Sequence, residues 1–178
     1  MDAYGIFVQL IGFVGAMFFF LSYQAKSNKS LFIIQTLGCL SFCIQFALLG
    51  AYSGCLSIFV NIIRNLMLTR YNDYKWIRWK GCAIIICCIS AAVATTTWAG
   101  YISLLPVAGT MAGTLGSWTN NAKHIRMANL FINAPCMLLY DLLVSSWGGV
   151  LNESVTIISI ILSIIRFGWR ALDGDKIG

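Results

Sequence analysis

Seven apolar stretches of about twenty residues fill nearly all of this 178-residue chain, at 4–23, 30–49, 52–70, 79–98, 101–120, 125–146 and 150–169. That length crosses a bilayer as a helix. Lipid offers no partner for a free backbone N–H or C=O, so each crossing must close its own hydrogen bonds, and runs this long exceed a barrel strand. Only 10% of the residues are charged, where soluble domains carry about 25%. The expected fold is an all-α membrane protein of seven transmembrane helices, with the lipid bilayer as its first partner.

The basic residues fall on alternate connections. Lys26 and Lys29 lie between the first two stretches, and Arg70, Lys75, Arg78 and Lys80 between the third and fourth. Lys123 and Arg126 lie between the fifth and sixth, and Arg170 and Lys176 follow the seventh. The intervening connections GAYSG, AGY and SSWGGVLNE contain no Lys or Arg. The positive-inside rule then predicts an external N-terminus and a cytoplasmic C-terminus. The net charge of +6 reports topology, and no nucleic-acid partner is expected. MDAYGIF carries no Lys or Arg and no cleavage pattern follows it, so no removable signal peptide is expected.

Nothing points to an enzyme. The chain has no Walker-type phosphate loop. Its seven cysteines lie in apolar stretches without a histidine at metal-ligand spacing, and they read as small packing residues. His124, the single histidine, sits in a basic turn. No cofactor and no metal are expected.

Arg64 stands in NIIRN and Arg166 in SIIRF, and this recurrence invites a search for duplication. SYQAKSNKSLF from Ser22 aligns with SWTNNAKHIRM from Ser117, 95 positions on. Tyr52-Ser53-Gly54 meets Trp147-Gly148-Gly149 at the same offset. The last stretches align instead at an offset of 102, so about seven extra residues are expected near the second copy's outer turn. The expected organisation is a three-helix repeat over 1–71, a linker helix over 72–100, a second three-helix repeat over 101–170 and a cytoplasmic tail over 171–178. The odd linker leaves both copies running the same way, a 3+1+3 parallel repeat.

LSYQAKSNKSLFIIQ (21–35) resembles the PQ-loop signature of SWEET-type carriers, with Tyr23 where that signature has the proline that acts as a hinge. NIIRN (61–65), LLPVAGT (104–110), SSWGGVLNES (145–154) and LSIIRFGWR (162–170) resemble the bacterial inner-membrane YgjV family over nearly the whole chain. The resemblance implies a bacterial inner-membrane location. It also implies membership of the SWEET/PQ-loop superfamily, which includes nicotinamide-riboside carriers and the KDEL receptor. In SWEET-type carriers an asparagine on the third helix of each repeat contacts substrate near mid-membrane. Asn61 matches that role by position; Ser163, its equivalent at offset 102, does not match by type.

Polar groups at membrane depth are expensive and face a bundle interior or a wet cavity. Ser57, Asn61, Arg64 and Asn65 share one face of the third stretch. Glu153, Thr156, Ser159, Ser163 and Arg166 share an arc of the seventh, and Asn129, Asn133, Cys136 and Tyr140 one of the sixth. Such stripes line a pathway or hydrogen-bond neighbouring helices. The candidates for a substrate pathway are Asn61, Asn133, Tyr140, Ser163 and Trp118. Arg64, Arg166, Tyr23 and Gln24 are candidates for the cytoplasmic rim, both arginines lying near enough to the edge to snorkel. Asp141 and Glu153 are candidates for an outer mouth that selects cations or takes protons. In the plainer reading Glu153 sits in the field of its helix N-terminus and Asp141 is solvated. Pro106 and Pro135 are expected to kink their helices, and Gly109 and Gly113 to allow close approach.

The expected function is a carrier that moves a small polar metabolite, such as a sugar, nucleoside or vitamin, by alternating access. The alternative is a ligand-binding membrane receptor or sorting protein on the same fold, without transport. Assembly into a homo-oligomer stays open.

Overall fold

The computed structural model describes residues 3–22, 28–71, 73–98, 100–119 and 122–167. All regular structure among the described residues is helical: α1 Ala3–Ser22, α2 Asn28–Leu48, α3 Tyr52–Thr69, α4 Lys80–Thr96 and α5 Leu104–Trp118, entered by a 3-10 turn at Tyr101–Ser103. The sixth stretch, α6, runs without a break through Ala122–Ala128, a π-helical turn at Asn129–Asn133 and Ala134–Leu143, and α7 spans Trp147–Phe167. Every helix falls on one of the seven apolar stretches, shifted at its ends by a few residues. α1 is long and apolar enough to cross a membrane, and shorter apolar helical stretches run over Phe32–Leu48, Lys80–Thr96 and Trp147–Leu162. Large apolar side chains such as Phe7, Leu10, Leu66, Ile84, Leu162 and Ile165 are exposed on the outside of the helices.

The two prolines behave differently from expectation. Pro106 is the third residue of α5, in the first turn, where the missing N–H would have had no helical partner, so it introduces no kink. Pro135 follows the π turn after one residue, Ala134. A proline there leaves the carbonyl four residues back unbonded, and the wider π register accommodates the gap. The result is an insertion within a continuous helix.

The turns at 49–51 and 144–146 are built alike. Gly50 (φ 71°) and Ser145 (φ 57°) both adopt the left-handed conformation. Ala51 N–H bonds Phe46 C=O at 2.9 Å and Ser146 N–H bonds Asp141 C=O at 2.8 Å. Gly50 N–H bonds Ala47 C=O at 3.2 Å and Ser145 N–H bonds Leu142 C=O at 3.3 Å. Each is a helix C-terminus closed by a left-handed residue and a six-residue hydrogen-bonded ring. Every corresponding position is 95 residues apart. The seven extra residues expected near the second turn are therefore absent: the turns have equal length and α7 starts 95 positions after α3. The IIR motif falls seven residues further along α7 than along α3, close to two full turns and so on the same helical face.

Six helices pack in a closed cycle, α1 on α2, α2 on α3, α3 on α5, α5 on α6, α6 on α7 and α7 back on α1; α4 packs outside it on α5 and α3. The core has two parts. Ala16, Cys39, Phe42, Phe46, Ile58, Ile62, Met137 and Tyr140 fill the half near the charge-poor turns. Val60, Leu68, Ile77, Cys82, Ala83, Ile86 and Trp118 fill the half near the basic turns, joining α3, α4 and α5.

Candidate functional site

The polar face of α3 turns inward as its 3.6-residue spacing requires. Ser57 and Asn65 are fully buried and Asn61 is 8% exposed. Asn61 Nδ2 donates a long bond of 3.4 Å to Thr110 Oγ1 on α5. Asn61 Oδ1 and Ser57 Oγ are buried without a partner. An orphaned buried polar atom costs about 1–3 kcal/mol, so two of them on one face point to a site kept for something else.

Asn133 comes to the same place from the π turn of α6. Its Nδ2 donates to Asn129 Oδ1 at 2.7 Å, and Asn129 Nδ2 donates to Ile125 C=O at 2.9 Å. A Cβ on Gly109 would lie 3.0 Å from Asn133 Oδ1, and one on Gly113 would lie 3.5 Å from Asn133 Cγ and 3.1 Å from Arg64 Nη1. The two α5 glycines thus admit the asparagine and the guanidinium to one point.

Arg64 does not snorkel to the basic end. Its Nε and Nη2 both donate to Asn65 Oδ1, at 3.3 and 3.1 Å, while Nη1 lies over Gly113, five residues short of the α5 C-terminus. Side chains on a helix lean toward its N-terminus. The basic edge lies at the C-terminal end of α3, so the geometry carries this arginine back toward the middle. Residue 166 lies two turns further along α7 than Arg64 lies along α3; the side chains of Ser163 and Arg166 lie outside the described residues, as do Tyr23 and Gln24. The α7 position 95 residues after Asn61 is Thr156, and the one after Ser57 is Asn152; both are buried. Ser159 of the expected α7 stripe is exposed.

The other two pathway candidates lie at opposite ends. Tyr140, 1% exposed, accepts the Gly54 N–H at 2.9 Å, shares a 3.0 Å bond with Ser53 Oγ and donates to Ala51 C=O at 3.4 Å. Its phenol thereby satisfies one of the donors left over at the start of α3, and a Cβ on Gly54 would collide with its ring. Above it opens a vestibule of about 640 Å³ lined by residues including Tyr52, Ser53, Thr97, Trp98, Ser103 and Tyr140. Tyr140 is its floor. Trp118 is buried in the basic-end cluster and donates its Nε1–H to Ile77 C=O at 2.8 Å.

Asp141 and Glu153 are not part of that vestibule wall. Asp141 is 1% exposed, which overturns the expectation of a solvated residue; its carboxylate fills the space left by the missing Cβ of Gly149, and Oδ1 has no partner. Glu153 accepts a 2.9 Å bond from Asn152 Nδ2. Because α7 begins at Trp147, Glu153 stands beyond its first turn, where the dipole field has fallen off.

Beside Asp141 lies an amide network that helical spacing does not reveal. Gln9 Nε2 donates to Ser145 C=O at 2.8 Å, and Gln9 Oε1 accepts from Trp147 N–H at 3.1 Å and Gln45 Nε2 at 3.2 Å. Ser146 Oγ donates to Gln45 Oε1 at 3.0 Å. The signal in the sequence is a glutamine within an apolar stretch, Gln9 in the first and Gln45 in the second, each too costly to bury without a partner.

The sequence profile of a bacterial inner membrane protein family, Imp-YgjV, matches residues 6–171. No curated protein and no solved structure matches the chain. The chain belongs to this family of bacterial inner membrane proteins.

Proposed function

We propose that this member of the Imp-YgjV family of bacterial inner membrane proteins is a multi-pass carrier that moves a small polar solute by alternating access. The observation that carries the reading is the partnerless pair Ser57 Oγ and Asn61 Oδ1. They lie below a floored vestibule and above the Trp118 cluster, with Asn133 and Arg64 converging on Gly113.

The 3+1+3 repeat is supported by the packing cycle. Exchanging α1 with α5, α2 with α6 and α3 with α7 maps the cycle onto itself, so that the α1–α7 seam becomes the α5–α3 seam. The matched turns, bond for bond at an offset of 95, support the same relation. On this reading two three-helix halves rock across the two seams, and α4 allows both to run in one direction. The turns bearing Arg70, Lys75, Arg78, Lys80 and Lys123 would face the cytoplasm, which puts the N-terminus outside and the vestibule on the outer side. The chain is not an enzyme on this reading, and its partners are the solute and the lipid.

Uptake into proteoliposomes of a labelled panel of sugars, nucleosides, vitamins and amino acids tests the proposal. A panel member that accumulates in the lumen is expected. One that binds in detergent at the same affinity yet never enters the lumen would replace the carrier with a receptor.

Tyr140 is the outer gate in this scheme. Tyr140→Phe removes three hydrogen bonds and strands the Gly54 N–H, at a cost of about 1–2 kcal/mol. Thermal unfolding of the purified protein should register that loss. Alkylation of Ser57→Cys by a small thiol reagent, read peptide by peptide, should also speed up in the Tyr140→Phe background. An unchanged alkylation rate would remove Tyr140 from the gate.

A further inference from the structure

We infer that Arg64, with Asn133, Asn61 and Ser57, forms a binding site for a small organic carboxylate that also bears a hydroxyl or ammonium group. The inference rests on the carrier reading for its pathway, and it names the class of solute.

Arg64 is half-buried; arginine keeps its charge even there, and a cation at bundle depth is costly unless paired. Among the described residues Arg64 has no carboxylate partner. Both of its bonds go to one neutral oxygen, Asn65 Oδ1. Of the two acids on α6 and α7, Asp141 lies against Gly149 and Glu153 accepts a bond from Asn152. Asp73 is exposed on the basic turn. A guanidinium that uses its Nε edge on Asn65 keeps the Nη1 side for a second acceptor, and that side lies over Gly113 beside the Asn133 amide. A carboxylate placed there would meet a charge-assisted donor and an amide together.

The rest of the α3 face defines the other end of the ligand. Asn61 is three residues from Arg64 and Ser57 is seven, about 4.5 and 10 Å along the helix axis. Asn61 Oδ1 accepts hydrogen bonds and donates none, so its free lone pairs call for a donor on the ligand. Ser57 Oγ, also partnerless, serves the same group from one turn above. A carboxylate at one end and a hydroxyl or ammonium a few ångströms away fits a hydroxy acid or an amino acid. An inorganic anion without a donor would leave the acceptors empty, and a neutral sugar would leave the cation uncompensated.

Among the described residues the charge lies on the α3–α5 seam, and the residue 95 positions after Arg64 is Ser159, which is exposed.

The test is thermal unfolding of the purified full-length protein with lactate, serine, inorganic phosphate, glucose or choline, in the native chain and in Arg64→Gln and Arg64→Lys. Lactate or serine is expected to raise the unfolding temperature in a saturable manner, and glucose and choline are not. Arg64→Gln should weaken the response at least about tenfold, the scale of one charge-assisted bond. Arg64→Lys should fall between, keeping the charge and losing the fork. Should Arg64→Gln fail to accumulate, phenylglyoxal modification of Arg64 in the native chain decides: lactate should slow it. Stabilisation by glucose that survives Arg64→Gln, stabilisation by phosphate alone, or no response to lactate or serine would each overturn the assignment. Lactate binding that depends on Arg64 without lactate uptake into proteoliposomes would leave the anion site standing and remove the carrier.

Discussion

Gly148→Ala should lower the unfolding temperature of the purified protein by about 5–10 °C, roughly 3 kcal/mol. A Cβ at Gly148 would come within 2.6 Å of Gly12 Cα and 2.7 Å of its carbonyl oxygen, with no side chain in between to give way. The only relief is to separate α1 from α7, and that also stretches the bonds from Gln9 to Ser145 and Trp147 that cross the same seam. In lipid there is no hydrophobic drive to hold two helices together once their close contact is lost. Gly12→Ala should be milder, because its Cβ meets a side-chain amide, that of Gln45, which can shift at the cost of its bonds to Gln9 and Ser146, whereas backbone cannot. Equal melting temperatures for the two variants, or the reverse order, would show that the seam is not the tight joint between the halves.

Asn61→Ala should reduce solute uptake by tenfold or more while changing stability by less than about 1 kcal/mol. The physical reason is the poverty of its contacts. Asn61 makes one bond, at 3.4 Å to Thr110, and buries an unpaired oxygen. Truncation therefore removes an orphaned acceptor along with a weak bond, two effects that nearly cancel. An asparagine used as glue between helices would show the opposite pattern, with stability lost and uptake spared. Unfolding curves and uptake rates measured on the same preparation separate the two, and uptake at the native level would sink the assignment of Asn61 to the pathway.

Parts of the candidate site are legible in the amino-acid sequence. The inward face Ser57, Asn61, Arg64 and Asn65 follows from spacing alone, since a helix places residues three and four apart on one side. Asn133 is legible for the same reason on α6. The direction of Arg64 is not. Its distance from the edge suggests snorkelling, but the lean of helical side chains and the opening at Gly113 send the guanidinium inward. The burial of Asp141 is hidden by its position off the main polar face of α6. That face is defined by contact with α3 and α5, whereas Asp141 meets α7, where Gly149 leaves it room. The roles of Gln9 and Gln45 are hidden because their partners lie far along the chain, in the 145–147 turn.

The sequence by itself determined the seven helices, their ends to within a few residues, the one-sided distribution of charge and which residues share a helical face. Those properties are local: they follow from the length of each apolar stretch, the backbone's need to close its own hydrogen bonds and a period of 3.6. It also carried the family. Only the tertiary structure decided which faces meet, that α1 and α7 touch through Gly12 and Gly148, that Tyr140 floors the vestibule, and that Arg64 and Asn133 converge over Gly113. These depend on how closely two elements approach, which is set by glycines: Gly12 against Gly148, 136 positions away, and Gly109 and Gly113 of α5 against Asn133 of α6 and Arg64 of α3. The two turns show the division clearly. The IIR motifs lie 102 positions apart and the matched turns at 49–51 and 144–146 lie 95 apart; seven residues is close to two helical turns and keeps the face, so the spacing of the motifs does not reveal the spacing of the turns.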